Sequence, residues 1–279
     1  MAPSPLRTIT RRHARSISLP SRSHPFLPQF DEQLSRVKVS EAAASTLSSM
    51  SNRLVDLNNL YDCTDDVLQL PHVQQAISQE CQDKCADEML DGYLRLLDAC
   101  STSRDIFSQT KESIRELLSA LRRNDRDQLS GYLTSRRNSK RIIQKALKDL
   151  RSIRNRQSAI ASQKDDETVA IFSMLKEVES ISLNMFYSFL SHLNGTKSGW
   201  SLVSKLMNQE KKSSATEFEK VDAIILQKLS NLDDMEQLED VQNQLGNILT
   251  SIQTVEEELE CLFRRLIKSR VFLLNILNH

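Results

Sequence analysis

Proline is almost absent from most of this chain: five of its six prolines lie at or before Pro28, and none follows Pro71 in the remaining 208 residues. Glycine is as scarce, with five in 279 residues. Proteins built from strands and tight turns need both residues as punctuation, so their scarcity excludes that class and leaves long helices. Histidine is sparse as well. His13 and His24 fall near the start and His279 is the last residue, which leaves His72 and His192 as the candidates for a structured site. No phosphate-cradling glycine loop, nucleophile elbow or zinc-binding helix motif occurs. With no catalytic, cofactor or metal constellation, the expectation is a protein that is not an enzyme.

The five cysteines, Cys63, Cys81, Cys85, Cys100 and Cys261, are odd in number and come without a secretory signal, which favours reduced thiols in an intracellular compartment. Cys81 and Cys85 stand one helical turn apart, yet no further cysteine or histidine sits at a matching spacing, so they read as small, half-buried helix residues. Long apolar runs are missing too. The longest uncharged stretch, Ser180 to Thr196, is interrupted by serines, asparagines and His192, and the apolar Val271 to Leu277 is too short to span a bilayer. That last segment reads as a core plug, and no transmembrane segment is expected.

Negative charge is absent from residues 1–30, which hold five arginines; because the whole chain is neutral, residues 31–279 carry a net of five negative charges. Prolines among serines and arginines cannot bury enough apolar surface to offset their ordering entropy, so residues 1–30 read as a disordered tail. An Arg-rich, Ser-rich, acid-free start also marks an organellar transit peptide, although prolines oppose the amphipathic helix such a signal uses. Localisation follows the tail: cytoplasmic, with nuclear or membrane-peripheral pools, or organellar if residues 1–30 act as a transit peptide. Within the tail, Arg15-Ser16-Ile17-Ser18-Leu19-Pro20 fits the phosphoserine pattern read by 14-3-3 proteins, with Arg15, Ser16, Ser18 and Pro20 as the candidate contacts. A phosphate on Ser18 adds up to two negative charges in a segment free to extend along a groove. Short patterns in an Arg/Ser-rich tail also arise by chance or as generic kinase sites.

What the chain has in abundance is helical periodicity. Leu238, Val241, Leu245, Ile248, Ile252, Val255, Leu259, Leu262 and Leu266 alternate spacings of three and four, a heptad seam on a helix from about Asp233 to Asn278. At 1.5 Å per residue this helix is roughly 69 Å long, a spine rather than an element of a compact globule. Leu249, Phe263 and Ile267 widen the seam into a second stripe. Upstream, Leu34 to Leu60 mark one long first helix from Asp31, Thr64 with Asp65 and Asp66 reads as a cap, and Pro71 suits the first turn of the next piece. A helix from Asp83 to about Arg123, loosened at Ser101 to Ser103, meets a turn at Asn124 to Asp127. The next helix runs to about Arg156. Another, Glu167 to Leu193, is apolar nearly all round and ends at Asn194-Gly195; it should be the most buried. A short helix with Trp200, a Lys211 to Ser214 linker and a helix near Phe218 to Leu229 precede the spine. The fold class is all-α: an elongated antiparallel helical bundle, one domain over residues 31–279, behind a disordered tail.

The stretch Arg136 to Arg156 holds nine lysines and arginines against one acid, Asp149. On a helical wheel Arg137, Arg141, Lys145, Lys148 and Arg151 share one face, and Ile142, Ile143, Ala146, Leu147, Leu150 and Ile153 the other. Such a helix binds anionic lipid weakly, nucleic acid or an acidic partner. No aromatic residue interleaves the charges, which sets nucleic acid well behind. The acidic Asp233 to Phe263, with nine acids and no basic residue, offers a counterweight inside the chain, and intramolecular charge complementarity is the favoured expectation. Glu256, Glu257 and Glu258 read as a solvated face, since consecutive helix positions diverge.

Four segments together carry a family resemblance: the tail Arg15 to Pro25, the segment Leu60-Tyr-Asp-Cys-Thr-Asp-Asp-Val-Leu-Gln-Leu-Pro71, the segment Asp91-Gly-Tyr-Leu-Arg-Leu-Leu-Asp-Ala-Cys100, and the ending Cys261 to His279. As a set they resemble the plant domain-of-unknown-function 241 family, also called BPS or BYPASS-type proteins, over essentially the full length. The resemblance implies a flowering-plant source and a role in root and shoot development. It assigns no biochemical activity and no catalytic or binding residue. Two functional expectations follow: a non-enzymatic interaction or scaffold protein, or a peripheral membrane protein that uses the basic helix face in trafficking or signalling.

Overall fold

The structure, a computed structural model, describes residues 26–41, 46–80, 83–157, 167–195, 216–230 and 236–278. Every regular element among the described residues is a helix: α1 (Phe26–Glu41), α2 (Leu47–Leu68), α3 (Pro71–Glu80), α4 (Asp83–Arg123), α5 (Arg126–Gln157), α6 (Glu167–Asn194), α7 (Glu217–Ser230) and α8 (Glu236–Leu277).

Local chemistry sets the boundaries. Thr46 and Ser49 form a reciprocal capping box, each hydroxyl accepting the other's backbone N–H at 3.1 and 2.9 Å, and so start α2. Pro71 opens α3, where its missing N–H costs nothing. Asn124 takes a left-handed φ of 52° after α4, and the Asp125 carboxylate accepts the Gln128 N–H at 3.1 Å to begin α5. Gly195, with φ 76°, closes α6. Thr216 and Glu219 make a second reciprocal box, at 3.2 and 2.9 Å, that starts α7.

α4 and α8, of 41 and 42 residues, set the long dimension, at about 1.5 Å per residue. They run antiparallel: Arg104 pairs with Glu260, and Lys111, further along α4, pairs with the earlier Glu256. α5 turns back along α4, and α6 runs back along α5, Arg136 reaching the Leu193 carbonyl and Arg154 the Asn184 side chain. α2 lies parallel to α8, through Asn58 to Glu258 and Asp65 to Ser269. The seam from Val241 to Leu266 is buried throughout, and Leu273 and Ile276 continue it. α6 is buried almost all round its second half, where Leu183, Met185, Phe186, Phe189, Leu190 and Leu193 are at most 1% exposed.

Several expectations need correction. The first long helix is two, α1 closing at Glu41 and α2 starting at the Thr46 box. α1 begins at Phe26, and Phe30 is buried, so the helical body reaches into residues 1–30. Thr64 is no cap: it is fully buried inside α2, its hydroxyl donating to the Leu60 carbonyl, while Asp65 accepts from Ser269. α4 does not loosen at Ser101 to Ser103, because the buried Ser103 hydroxyl donates to the Ala99 carbonyl within a continuous helix. Ile267 and Val271 point outward, 43% and 49% exposed, so the second stripe of α8 stops at Phe263 and its end is only half a plug. The Trp200 helix, the Lys211 to Ser214 linker, Cys81 and the tail before Phe26 lie outside the described residues.

Candidate functional site

α5 sorts its cations by direction. Leu129, Tyr132, Ile143, Ala146, Leu147 and Leu150 face the core, and Arg136 and Lys140 flank them on the side of α7. Arg136 is buried; it donates to the Leu193 carbonyl at 2.6 Å, capping the C-terminal end of α6, and its guanidinium lies 5.0 Å over the Phe218 ring. Its Nε is 3.5 Å from Asp222, an ion pair without hydrogen-bond geometry, and Lys140 donates to the same carboxylate at 3.1 Å. Tyr132 donates its hydroxyl to Asp222 at 3.2 Å, and burial, with the neighbouring Asp222 charge, pushes that phenol well above its ordinary range. At the other end Arg151 donates to the Tyr187 hydroxyl at 2.7 Å, and Arg151 and Arg154 both stack on the Tyr187 ring.

Arg137, Arg141, Lys145 and Lys148 remain. All four are exposed, and none makes an ion pair or side-chain hydrogen bond among the described residues. Arg137 to Lys148 spans about 17 Å of helix at 1.5 Å per residue. Arg151, assigned to the same face, is exposed but committed to Tyr187. Ile142, assigned to the apolar face, is 48% exposed beside the cations.

Part of the expected counterweight on α8 is spent elsewhere, and Asp233 and Asp234 lie outside the described residues. Glu256 pairs with Lys111 and Glu260 with Arg104, both on α4, while Glu258 accepts from Asn58 on α2. Of the Glu256 to Glu258 run only Glu257 is exposed, so two members clamp neighbours rather than forming a solvated face. The complementarity that α5 finds is with Asp222 of α7, a single carboxylate that charge counting along the chain overlooked. The Thr216-Glu217-Phe218-Glu219 box was the sequence signal for where α7 begins.

The other polar clusters close on themselves. Glu179, 3% exposed, accepts from Arg95 at 2.7 Å and Lys176 at 3.2 Å, and both cations also hold Glu88, which tie α4 to α6. Burial works against the charge on Glu88, but Lys176 and Arg95 together hold its carboxyl below the usual range. The cavity here, bordered by Tyr61, Gly92, Tyr93 and Glu179, is about 20 Å³, room for a single water. His192 lies 2.7 Å from Glu217, whose carboxyl that contact pulls below its ordinary range. Burial pushes the Cys100 thiol up to about 12, so it carries no reactive thiolate. No cluster of three or more metal-ligating side chains occurs among the described residues, and no helix there is long and apolar enough to cross a membrane. Arg15, Ser16, Ser18 and Pro20 lie outside the described residues.

Searches of curated proteins and of solved structures find no match. A family model described as Protein BPS1 matches residues 53–276, from within α2 to the end of α8, in agreement with the motifs at Leu60 to Pro71 and Asp91 to Cys100. On that match over most of its length, the chain belongs to the BPS1 family of BYPASS-type plant proteins.

Proposed function

We propose that this protein is a non-enzymatic interaction protein that presents a helical bundle to partners in plant root and shoot development. The observation that carries the reading is the contrast within its polar groups: Glu88, Arg95, Lys176 and Glu179 satisfy one another beside a water-sized cavity, while the row Arg137, Arg141, Lys145 and Lys148 has no partner among the described residues. Enzymes gather perturbed acids, bases and donors in a cleft that admits substrate, whereas the shifted groups Glu88 and Glu217 serve as links between helices. Family membership supports the developmental setting. A second reading, a peripheral membrane protein in trafficking or signalling, rests on the same open row.

The tail adds a regulatory proposal, that phosphorylation of Ser18 creates a 14-3-3 docking site with Arg15, Ser16 and Pro20 as its flanks. A peptide spanning Arg12 to Ser23 binds 14-3-3 protein only when Ser18 is phosphorylated; absence of binding at high micromolar concentration refutes it. The interaction reading is tested by affinity purification with mass spectrometry from plant tissue, comparing wild type with R141E/K145E/K148E and with S18A. Distinct sets of partners lost from each variant support it. An unchanged partner set in both, or turnover of a metabolite by the purified protein, contradicts it.

A further inference from the structure

We propose that the open row on α5 docks on the surface of an anionic lipid bilayer; the inference rests on the reading of α5 as an interaction face and names its partner. The charge is of one sign and unspent: Arg137, Arg141, Lys145 and Lys148 are exposed without a described partner, and the acid on the same helix stretch, Asp149, is exposed near its edge. Glu256, Glu258 and Glu260 of α8 are committed to α4 and α2, and Asp222 of α7 to Arg136 and Lys140, so among the described residues these charges are left to solvent or to a ligand.

The chemistry of the face separates the anionic partners. Protein interfaces centre on aromatic or aliphatic anchors and are depleted in lysine, whereas the exposed large apolar side chain on α5 is Ile142 alone. An acidic helix would find no apolar stripe to seat on. The outward residues around the row, Ser130, Thr134, Asn138, Gln144 and Ser152, are small or polar and exposed. Nucleic acid fits less well. α5 packs against both α4 and α6, which keeps it from entering a major groove about 12 Å wide, and Tyr187, the aromatic beside the row, is covered by Arg151 and Arg154. A bilayer needs neither anchors nor shape complementarity. It needs several cations at one level, and a half-exposed Ile142 beside them adds a shallow apolar contact.

Each lysine or arginine near an anionic membrane gains about a fivefold preference for it, so four amount to several hundredfold. The four cations stand exposed along one helix rather than gathered in a cleft of described residues, so the source of attraction is bulk surface charge rather than one headgroup.

The test is flotation of the full-length protein with vesicles of phosphatidylcholine alone or mixed with phosphatidylserine, over a salt series. The protein floats with the mixed vesicles at low salt and is released as salt rises, and R141E/K145E/K148E loses at least about a hundredfold in partition. Far-ultraviolet circular dichroism and the melting temperature of the variant check its fold, and K145Q/K148Q, with milder surface changes, gives an intermediate loss. Failure of the wild type to float, or flotation that survives the reversal because the tail arginines supply it, overturns the proposal. If the protein does not float while R141E/K145E/K148E still sheds protein partners in tissue purifications, the bilayer is wrong and the interaction face stands. If neither changes, both fall.

Discussion

Two helical glycines put the packing between α4 and α6 to a quantitative test. Glycine inside a helix is less stable than alanine by about 0.5–1 kcal/mol, so Gly→Ala gains that amount wherever the new methyl has room. At Gly131 on α5 a Cβ meets nothing within 4 Å, and G131A should raise the melting temperature by about 2–4 °C per kcal/mol gained. At Gly92 on α4 the Cβ would stand 3.1 Å from a Glu179 carboxylate oxygen and 3.3 Å from its carboxyl carbon. That carboxylate cannot swing away freely, being 3% exposed and held by Arg95 at 2.7 Å and Lys176 at 3.2 Å. Loosening a charged, buried hydrogen bond costs about 1–3 kcal/mol, which cancels or exceeds the propensity gain, so G92A is neutral to destabilising by about 2 kcal/mol. In an E179A background the obstacle is gone and G92A recovers the gain of about 0.5–1 kcal/mol. Chemical denaturation followed by far-ultraviolet circular dichroism reads the four variants, G131A, G92A, E179A and G92A/E179A, against the wild type. Equal stabilisation by G92A and G131A in the wild-type background would refute the clamp.

The α8 seam predicts that L259A, at a fully buried position, costs about 2–5 kcal/mol, whereas I267A, at a side chain 43% exposed, costs less than about 1 kcal/mol; similar losses in a denaturant titration would contradict the register. The link between α6 and α7 predicts a pH signature. Because His192 lowers the folded-state pKa of Glu217, the stability it contributes is fully present above the ordinary carboxylate pKa and is lost as pH falls through the depressed value. E217Q should therefore flatten the acid limb of the stability profile, and an unchanged limb sinks the assignment.

Much of this was legible in one dimension. The α8 seam carried its own period, and the ends of α4 and α6 were marked by Asn124 and Gly195, residues that accept a left-handed backbone. What failed depended on neighbours. Thr64 looks like a cap until Leu60 offers its carbonyl one turn back, and Ile267 looks like part of a second stripe until the packing leaves it 43% exposed. Charge counting matched α5 to α8 because their totals are complementary, but helix order decides which charges meet: α4 stands against α8 and takes Glu256 and Glu260, and α7 brings Asp222 to α5. The basic face was thus readable from sequence, and its freedom was not.

That freedom is measured most directly by lysine reactivity. Brief acylation of the folded full-length protein, with sites quantified by mass spectrometry, compares the exposed Lys145 and Lys148 with Lys111 and Lys176, whose side chains are 19% and 20% exposed and paired with Glu256 and Glu88. Lys145 and Lys148 should react at least about tenfold faster, since the paired, half-buried Lys111 and Lys176 are shielded from the reagent by their partners and the surrounding helices. Protection of Lys145 and Lys148 to the level of Lys111 and Lys176 would mean that the chain covers its own basic face, and the account of α5 as an open interaction surface would be wrong.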